Sequence, residues 1–125
     1  MSETRLADAI SQYGREAYLL TVSETGPHTS SVRVDLDGET VTCVLGRSAG
    51  RNIATQPNVS LFWPPREPGG YALILNGTAR PAPPRGDDAM AQITLTKSVF
   101  HRAGPRDEER EGPCTADCKP IRRAG

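Results

Sequence analysis

The chain contains six short runs dominated by β-forming residues, and several of them alternate apolar with polar side chains. The runs cover residues 17–22, 28–36, 39–45, 59–63, 71–80 and 91–101. Asp37-Gly38, between the second and third runs, is a strong signal for a tight β-hairpin. No strand–helix alternation of the kind typical of a parallel sheet is present. The sequence therefore predicts an all-β fold, either a small barrel or a sandwich.

Two short helices are predicted beside these strands. Apolar residues recur at helical spacing across residues 6–13, and Gly14 is placed to end this first helix. The helix is amphipathic, so we expect it to lie against the outside of the β-structure. Ser48 is predicted to cap a second helix that runs to Thr55.

A chain of 125 residues is long enough for one domain and too short for two. We predict a domain of residues 1–101, with a linker at 81–88 before its last strand and a glycine bulge at Asn76-Gly77. Residues 102–125 are polar and rich in glycine, proline and charge. They are predicted to form a tail that is disordered unless another part of the protein holds it.

The charge balance and the apolar pattern exclude several classes of protein. Fifteen basic and fifteen acidic residues cancel, which argues against a general nucleic-acid-binding protein. No apolar run approaches the roughly 18 residues of a membrane-spanning helix, and residues 1–30 lack the pattern of a signal peptide. We therefore expect a cytoplasmic protein with no membrane or nucleic-acid partner. Only 5% of the residues are aromatic, so part of the burial is expected to come from a partner subunit.

The three cysteines do not form a disulfide framework, because their number is odd. Cys43 falls on the apolar face of its strand and is predicted to be a core residue. Cys114 and Cys118 lie in the tail, and four interpretations of them stay open. They are reduced thiols, a disulfide, a redox pair, or half of a metal site completed by His101. Three residues separate the two cysteines, which fits the spacing of zinc-binding pairs. Two cysteines and one distant histidine are nevertheless a weak ligand set, so we predict no metal site.

The sequence offers no convincing acid–base or nucleophilic set, and the catalytic residues stay unassigned. His28 lies in a predicted turn and His101 at a strand end, so both are expected to be surface residues.

The most informative segment is the loop after the third strand, Gly-Arg-Ser-Ala-Gly-Arg-Asn at residues 46–52. Its glycines have no side chains to shield the backbone amides, and Ser48 supplies a hydroxyl near the helix start. Arg47 and Arg51 lie about one helical turn apart. Amides, hydroxyls and guanidinium groups all bind phosphate, and an arginine fork donates two parallel charge-assisted hydrogen bonds. The segment is predicted to hold a small anion, the alternative being a solvated surface turn with two exposed arginines.

Several motifs follow one another in a characteristic order. An N-terminal helix and a Gly-Pro-His turn come first, then Asp-Gly and the Arg-Ser-x-x-Arg-Asn helix. A Pro-Asn-Val-Ser-Leu strand and a Tyr-x5-Gly-Thr-Ala strand complete the series. From Leu6 to Pro81 this order resembles the pyridoxamine 5′-phosphate oxidase-like FMN-binding split β-barrel family, within the flavin/deazaflavin oxidoreductase superfamily. The predicted sixth strand fits the closing strand of such a barrel, and the cysteine tail lies outside the resemblance.

The resemblance implies a six-stranded antiparallel barrel that forms a homodimer, with FMN in clefts at the dimer interface. It places basic, hydroxyl and amide side chains around the phosphate and one strand beside the isoalloxazine ring. It also places an aromatic residue where it approaches the ring from the other subunit. The implied cofactor-binding residues are Thr29, Ser30, Ser31, Val32, Val44, Leu45, Arg47, Ser48, Arg51, Asn52 and Trp63.

The chain departs from the family pattern in the phosphate loop. Many FMN-binding and deazaflavin-binding members carry a lysine there, and the matching positions of this chain are Ala49 and Gly50.

The expected function is an FMN-dependent oxidoreductase with a small-molecule substrate. The alternatives are a reductase that uses the deazaflavin coenzyme F-420 and a non-catalytic module that binds flavin or haem. Vitamin B6 oxidation is not expected, because the chain is much shorter than the true oxidases and lacks their substrate motifs.

Overall fold

A computed structural model describes residues 5–38, 40–103 and 116–121 of the chain. Within these ranges it contains two short helices and seven strands. In chain order they are α1 (Leu6–Tyr13), β1 (Glu16–Ser23), β2 (Gly26–Asp37), β3 (Thr40–Leu45), α2 (Arg47–Thr55), β4 (Asn58–Trp63), β5 (Ala72–Arg85), β6 (Asp88–Ala103) and β7 (Ala116–Pro120).

The first six strands close into a barrel in which every pairing is antiparallel. The strands follow the order β3-β2-β1-β4-β5-β6, and β6 then pairs with β3 to close the ring. The first half of β6 contacts β3, and its second half carries β7 on the same edge. The prediction of an all-β, six-stranded antiparallel barrel is confirmed.

The barrel interior is built from the alternation seen in the sequence. In a strand, successive side chains point to opposite faces, so every second residue faces the core. The largest fully buried side chains include Trp63 and Leu61 of β4 and Leu73 and Leu75 of β5. Helix α1 lies over the core with Leu6, Ala9 and Ile10 buried, and ends at Gly14, whose φ of 92° is costly for residues with a side chain.

The predicted bulge at Asn76-Gly77 is confirmed, and the predicted linker at 81–88 is wrong. The β5–β6 register shifts between Asn76 and Gly77. Residues 81–85 continue β5, and Gly86, with a φ of 59°, turns the chain directly into β6. The carboxylate of Asp35 holds the end of this hairpin, because Arg85 Nη1 lies 2.8 Å from its Oδ2.

The tail contains a strand that the sequence did not predict. Ala116–Pro120 forms β7, which pairs with Val99–Ala103 of β6, and Ile121 is buried in the core cluster. The Ile121 amide donates to the Ser98 carbonyl at 2.8 Å. This part of the tail is therefore ordered, because β6 holds it, which is the exception that the sequence prediction allowed. Cys114 lies outside the described residues, and Cys118 is the register partner of His101.

Cys43 is a core residue, as predicted, with 0% exposure. Burial raises the pKa of its thiol from 9.0 to about 11, because the thiolate would lose its hydration. Above pH 9 the unfolded thiol ionises before the folded one. The stabilising contribution of the buried thiol is therefore complete below pH 9 and lost as the pH rises towards 11.

We expect Cys43 to resist alkylation at pH 8 in a variant carrying C114S and C118S, until denaturant unfolds the chain. Between pH 9 and 11 the parent should also lose on the order of 2 kcal/mol more stability than Cys43→Ala. Denaturant unfolding of both proteins across this range measures the difference. Rapid labelling of the folded variant, or equal pH slopes for the two proteins, would show that the thiol is accessible.

Candidate functional site

The ladder between β2 and β3 ends at the Val34–Cys43 pair, and the region beyond it, where the two strands diverge, is called the opening of the barrel. Within the described residues, 26–33 of β2 pair with β1 alone, and β3 pairs with β2 only over Thr40–Cys43. Val44 and Leu45 instead pair with Met90 and Ala89 of β6. Among the strands that the structure describes, none pairs with this edge of β2, and we consider its backbone amides and carbonyls as possible partners for a ligand.

Helix α2 begins immediately after β3, next to this opening. Gly46 is its N-cap, with extended backbone and no capping side chain, so the prediction that Ser48 caps the helix was wrong. Ser48 lies inside the first turn, and the first intrahelical amide bond there runs from Gly50 to the Gly46 carbonyl at 2.9 Å. The amides of residues 47–49 therefore have no carbonyl acceptor within the helix and can bind an anion.

One side of α2 is basic and the opposite side is apolar. Arg47 and Arg51 are exposed, and Arg51 Nη2 donates to Ser48 Oγ at 3.4 Å. Ala49 and Ile53 are buried against the barrel. The predicted phosphate residues Arg47, Ser48 and Arg51 are therefore together on the solvent side of the helix, at spacings of three and four residues.

Asn52, also predicted at the phosphate, faces the barrel instead. Its Nδ2 donates to Thr21 Oγ1 of β1 at 2.9 Å. Trp63 is likewise a structural residue rather than an exposed aromatic. The indole is 1% exposed and donates from Nε1 to the Gly14 carbonyl at 2.9 Å. The prediction that Trp63 approaches a flavin of the other subunit does not fit this burial.

The unpaired segment of β2 divides its predicted site residues between two faces. Thr29 and Ser31 are exposed, whereas Ser30 is half-buried and Val32 is buried in the core. Only the backbone of this segment, and the side chains of its outer face, can contact a ligand that lies outside the barrel.

The structure adds two residues at β2 that the sequence analysis missed. Arg33 continues the exposed row of Thr29 and Ser31, and strand alternation alone could have identified it. His28 was expected at the surface but is half-buried, on the same face as Ser30. Within the described residues, His28 Nδ1 and Ser30 Oγ are buried without a hydrogen-bond partner. Buried polar atoms without a hydrogen-bond partner are uncommon in folded proteins.

The donor set at the opening fits a phosphate-bearing planar ligand. Two guanidinium groups, one hydroxyl and the first-turn amides suit a phosphate, and the free β2 edge suits a ring with alternating donors and acceptors. Among the described residues, no group of three or more His, Cys, Asp or Glu side chains is placed to hold a metal ion.

Comparison with curated proteins finds two mycobacterial relatives. The uncharacterized proteins Mb0449c of Mycobacterium bovis and MT0457 of Mycobacterium tuberculosis are each 34% identical over 128 residues, covering 91% of this chain and 89% of theirs. The chain belongs to their family. No protein-family model matches it.

Solved structures share the fold of this family. A pyridoxamine 5′-phosphate oxidase-like protein of Listeria innocua aligns with a TM-score of 0.62 and 18% identity, covering 74% of this chain and 92% of that one. An F-420 reductase aligns with a TM-score of 0.56 and 21% identity, covering 71% and 94%. A haem-binding protein of Mycobacterium smegmatis gives a TM-score of 0.58 and 18% identity, covering 89% of this chain and 55% of that one.

The family therefore has the split β-barrel fold that the order of motifs predicted. In the part of this chain that the structure describes, no helix is long and apolar enough to cross a membrane.

Proposed function

We propose that this protein is an FMN-dependent oxidoreductase that acts on a small molecule. The observation that carries the proposal is the position of α2. Its first turn, with Arg47, Ser48 and Arg51 on the exposed side, begins where β3 leaves β2 and the barrel opens. Phosphate at the helix start and a ring along residues 29–32 of β2 would occupy one continuous site.

Each group has a distinct part in this proposal. The two arginines and the first-turn amides bind the phosphate, and Val44, on the face of β3 opposite buried Cys43, provides an apolar wall. Leu45 lies on the other face and packs against the core. The β2 edge orients the polar side of the ring through its backbone. When bound, FMN would supply the hydride chemistry, and the chain itself would fix the position of the ring and limit its contact with water.

The deazaflavin coenzyme F-420 is the second candidate cofactor, because it also carries phosphate and an F-420 reductase has this fold. Many FMN-binding and deazaflavin-binding members carry lysine at the positions of Ala49 and Gly50, so these positions do not favour one cofactor over the other. A binding module without turnover is the alternative in another functional class. Haem is the least favoured ligand, because the described residues offer phosphate donors at the opening.

Titration with FMN, riboflavin and F-420 tests the proposal directly. We expect FMN to bind more tightly than riboflavin, because only FMN carries the phosphate. The bound protein should also show the flavin absorbance band at about 450 nm. Repeated turnover of the reduced complex with an added electron acceptor would identify an oxidoreductase, and a stable complex without turnover would identify a carrier. Equal affinity for FMN and riboflavin would contradict the assignment of the phosphate site.

We also propose that the protein works as a homodimer, through the outer face of β1, β4 and β5. Tyr18 and Val22 of β1 are 43% and 44% exposed, the large hydrophobic side chains left most open in the described part of the chain. Phe62 and Ile74, half-buried, continue the same row across β4 and β5. Side chains opposite one another in neighbouring strands form one surface, and the row of Tyr18, Phe62 and Ile74 on it is apolar.

Tyr18→Glu is expected to convert the dimer to a 13.4 kDa monomer in sedimentation equilibrium at micromolar concentration. The cause is the cost of burying a carboxylate in an apolar interface. Gln12→Glu, at an exposed position of α1, is the matched control and should leave the dimer intact. A parent that sediments as a monomer with cofactor bound would exclude the dimer altogether.

A further inference from the structure

The packing of helix α2 on the barrel determines where its basic residues lie. Its inner side contains Ala49, Asn52 and Ile53, which are spaced as neighbours on one helix face, and its outer side contains Arg47 and Arg51. A rotation of the helix about its axis would therefore change the direction in which both arginine side chains leave the helix.

The apolar part of this contact does not determine the rotation well. Ala49 and Ile53 contribute only apolar contacts, and apolar burial has no directional preference. The hydrogen bond from Asn52 Nδ2 to Thr21 Oγ1, 2.9 Å long, is directional and joins the helix to β1. Thr21 is 1% exposed, so its hydroxyl has no access to bulk water and depends on a protein partner.

We propose that Thr21 is a positioning residue for the phosphate site and acts through Asn52. This inference rests on the proposed function, because the helix that Thr21 orients is the one that would bind phosphate. Thr21 itself faces the barrel interior and does not contact the ligand. Removal of its hydroxyl leaves the Asn52 amide without its partner, and α2 then turns to hydrate that amide, which moves Arg51, the preceding residue, away from the phosphate.

Thr21→Val and Thr21→Ser form the matched pair that tests the role of the hydroxyl. Valine keeps the shape of threonine without its hydroxyl, and serine keeps the hydroxyl without the methyl group. The measured quantity is the ratio of the riboflavin Kd to the FMN Kd, which isolates the contribution of the phosphate. We expect Thr21→Val to lower this ratio about two- to tenfold, the effect of one hydrogen bond, and Thr21→Ser to retain it.

Asn52→Ala should lower the ratio to the same extent, and the double variant Thr21→Val/Asn52→Ala should lower it no further, because both remove one interaction. Circular dichroism and thermal unfolding identify the folded variants. An unchanged ratio in Thr21→Val, or an equal loss of FMN and riboflavin, would overturn the positioning role. A parent that binds FMN no more tightly than riboflavin would overturn the proposed function itself, and this inference with it.

Discussion

Gly77→Ala should lower the free energy of unfolding by about 3 kcal/mol or more, a large effect for the addition of one methyl group. A Cβ atom at this position would lie 2.3 Å from the Thr94 carbonyl oxygen and 2.9 Å from Ile93 Cγ2. The clash is with the backbone of β6, and Thr78, the next residue, is paired with Thr94 in the same ladder. Neither strand can retreat without breaking that ladder at the bulge.

Gly50→Ala is the matched control, because it adds the same methyl group where no atom of the described residues outside the helix's own backbone lies within 4 Å. Gly50 is inside α2, where alanine is favoured over glycine by about 0.5–1 kcal/mol, so this variant should be slightly more stable than the parent. Urea unfolding of the three proteins measures both effects. Similar stability of Gly77→Ala and the parent would mean that β5 and β6 do not approach as closely at the bulge.

Local sequence patterns predicted the barrel strands well, because the side-chain period of two follows directly from burial of one face. The turn after Asp37 and the bulge at Gly77 were also predictable, since each depends on a glycine. The hairpin at Gly86 was missed because the prolines of residues 81–84 favoured a linker. Proline is nevertheless compatible with a strand edge that needs no amide donor, as in this part of β5.

Strand β7 could not be predicted from its own residues, because its existence depends on the free edge of β6. The candidate site shows the same limit. Arg47, Ser48 and Arg51 could be placed on one side of α2 from their spacing alone. The inward contacts of Asn52 and Trp63 depend on Thr21 and Gly14, which are distant in the sequence. Spacing along the chain carries no information on such contacts.

Arg47→Ala and Arg51→Ala should each weaken FMN binding about tenfold to a hundredfold, the range of a charge-assisted hydrogen bond to phosphate. Riboflavin binding should barely change, because riboflavin has no phosphate. Both side chains are exposed, and Arg51 makes only a 3.4 Å contact with Ser48, so the stability of the cofactor-free protein should hardly change.

Arg80→Ala is the matched control for these two variants. Arg80 is exposed on β5 and its Nη2 donates to Gln92 Oε1 at 3.3 Å, a contact as weak as that of Arg51. Its loss should leave both affinities unchanged. Isothermal titration of the variants with FMN and riboflavin decides between a specific site and a general effect of charge. If Arg80→Ala weakens FMN as much as Arg47→Ala does, the affinity reflects net charge. If Arg47→Ala and Arg51→Ala bind FMN like the parent, the phosphate does not lie at α2, and the position of that helix beside the opening has another cause.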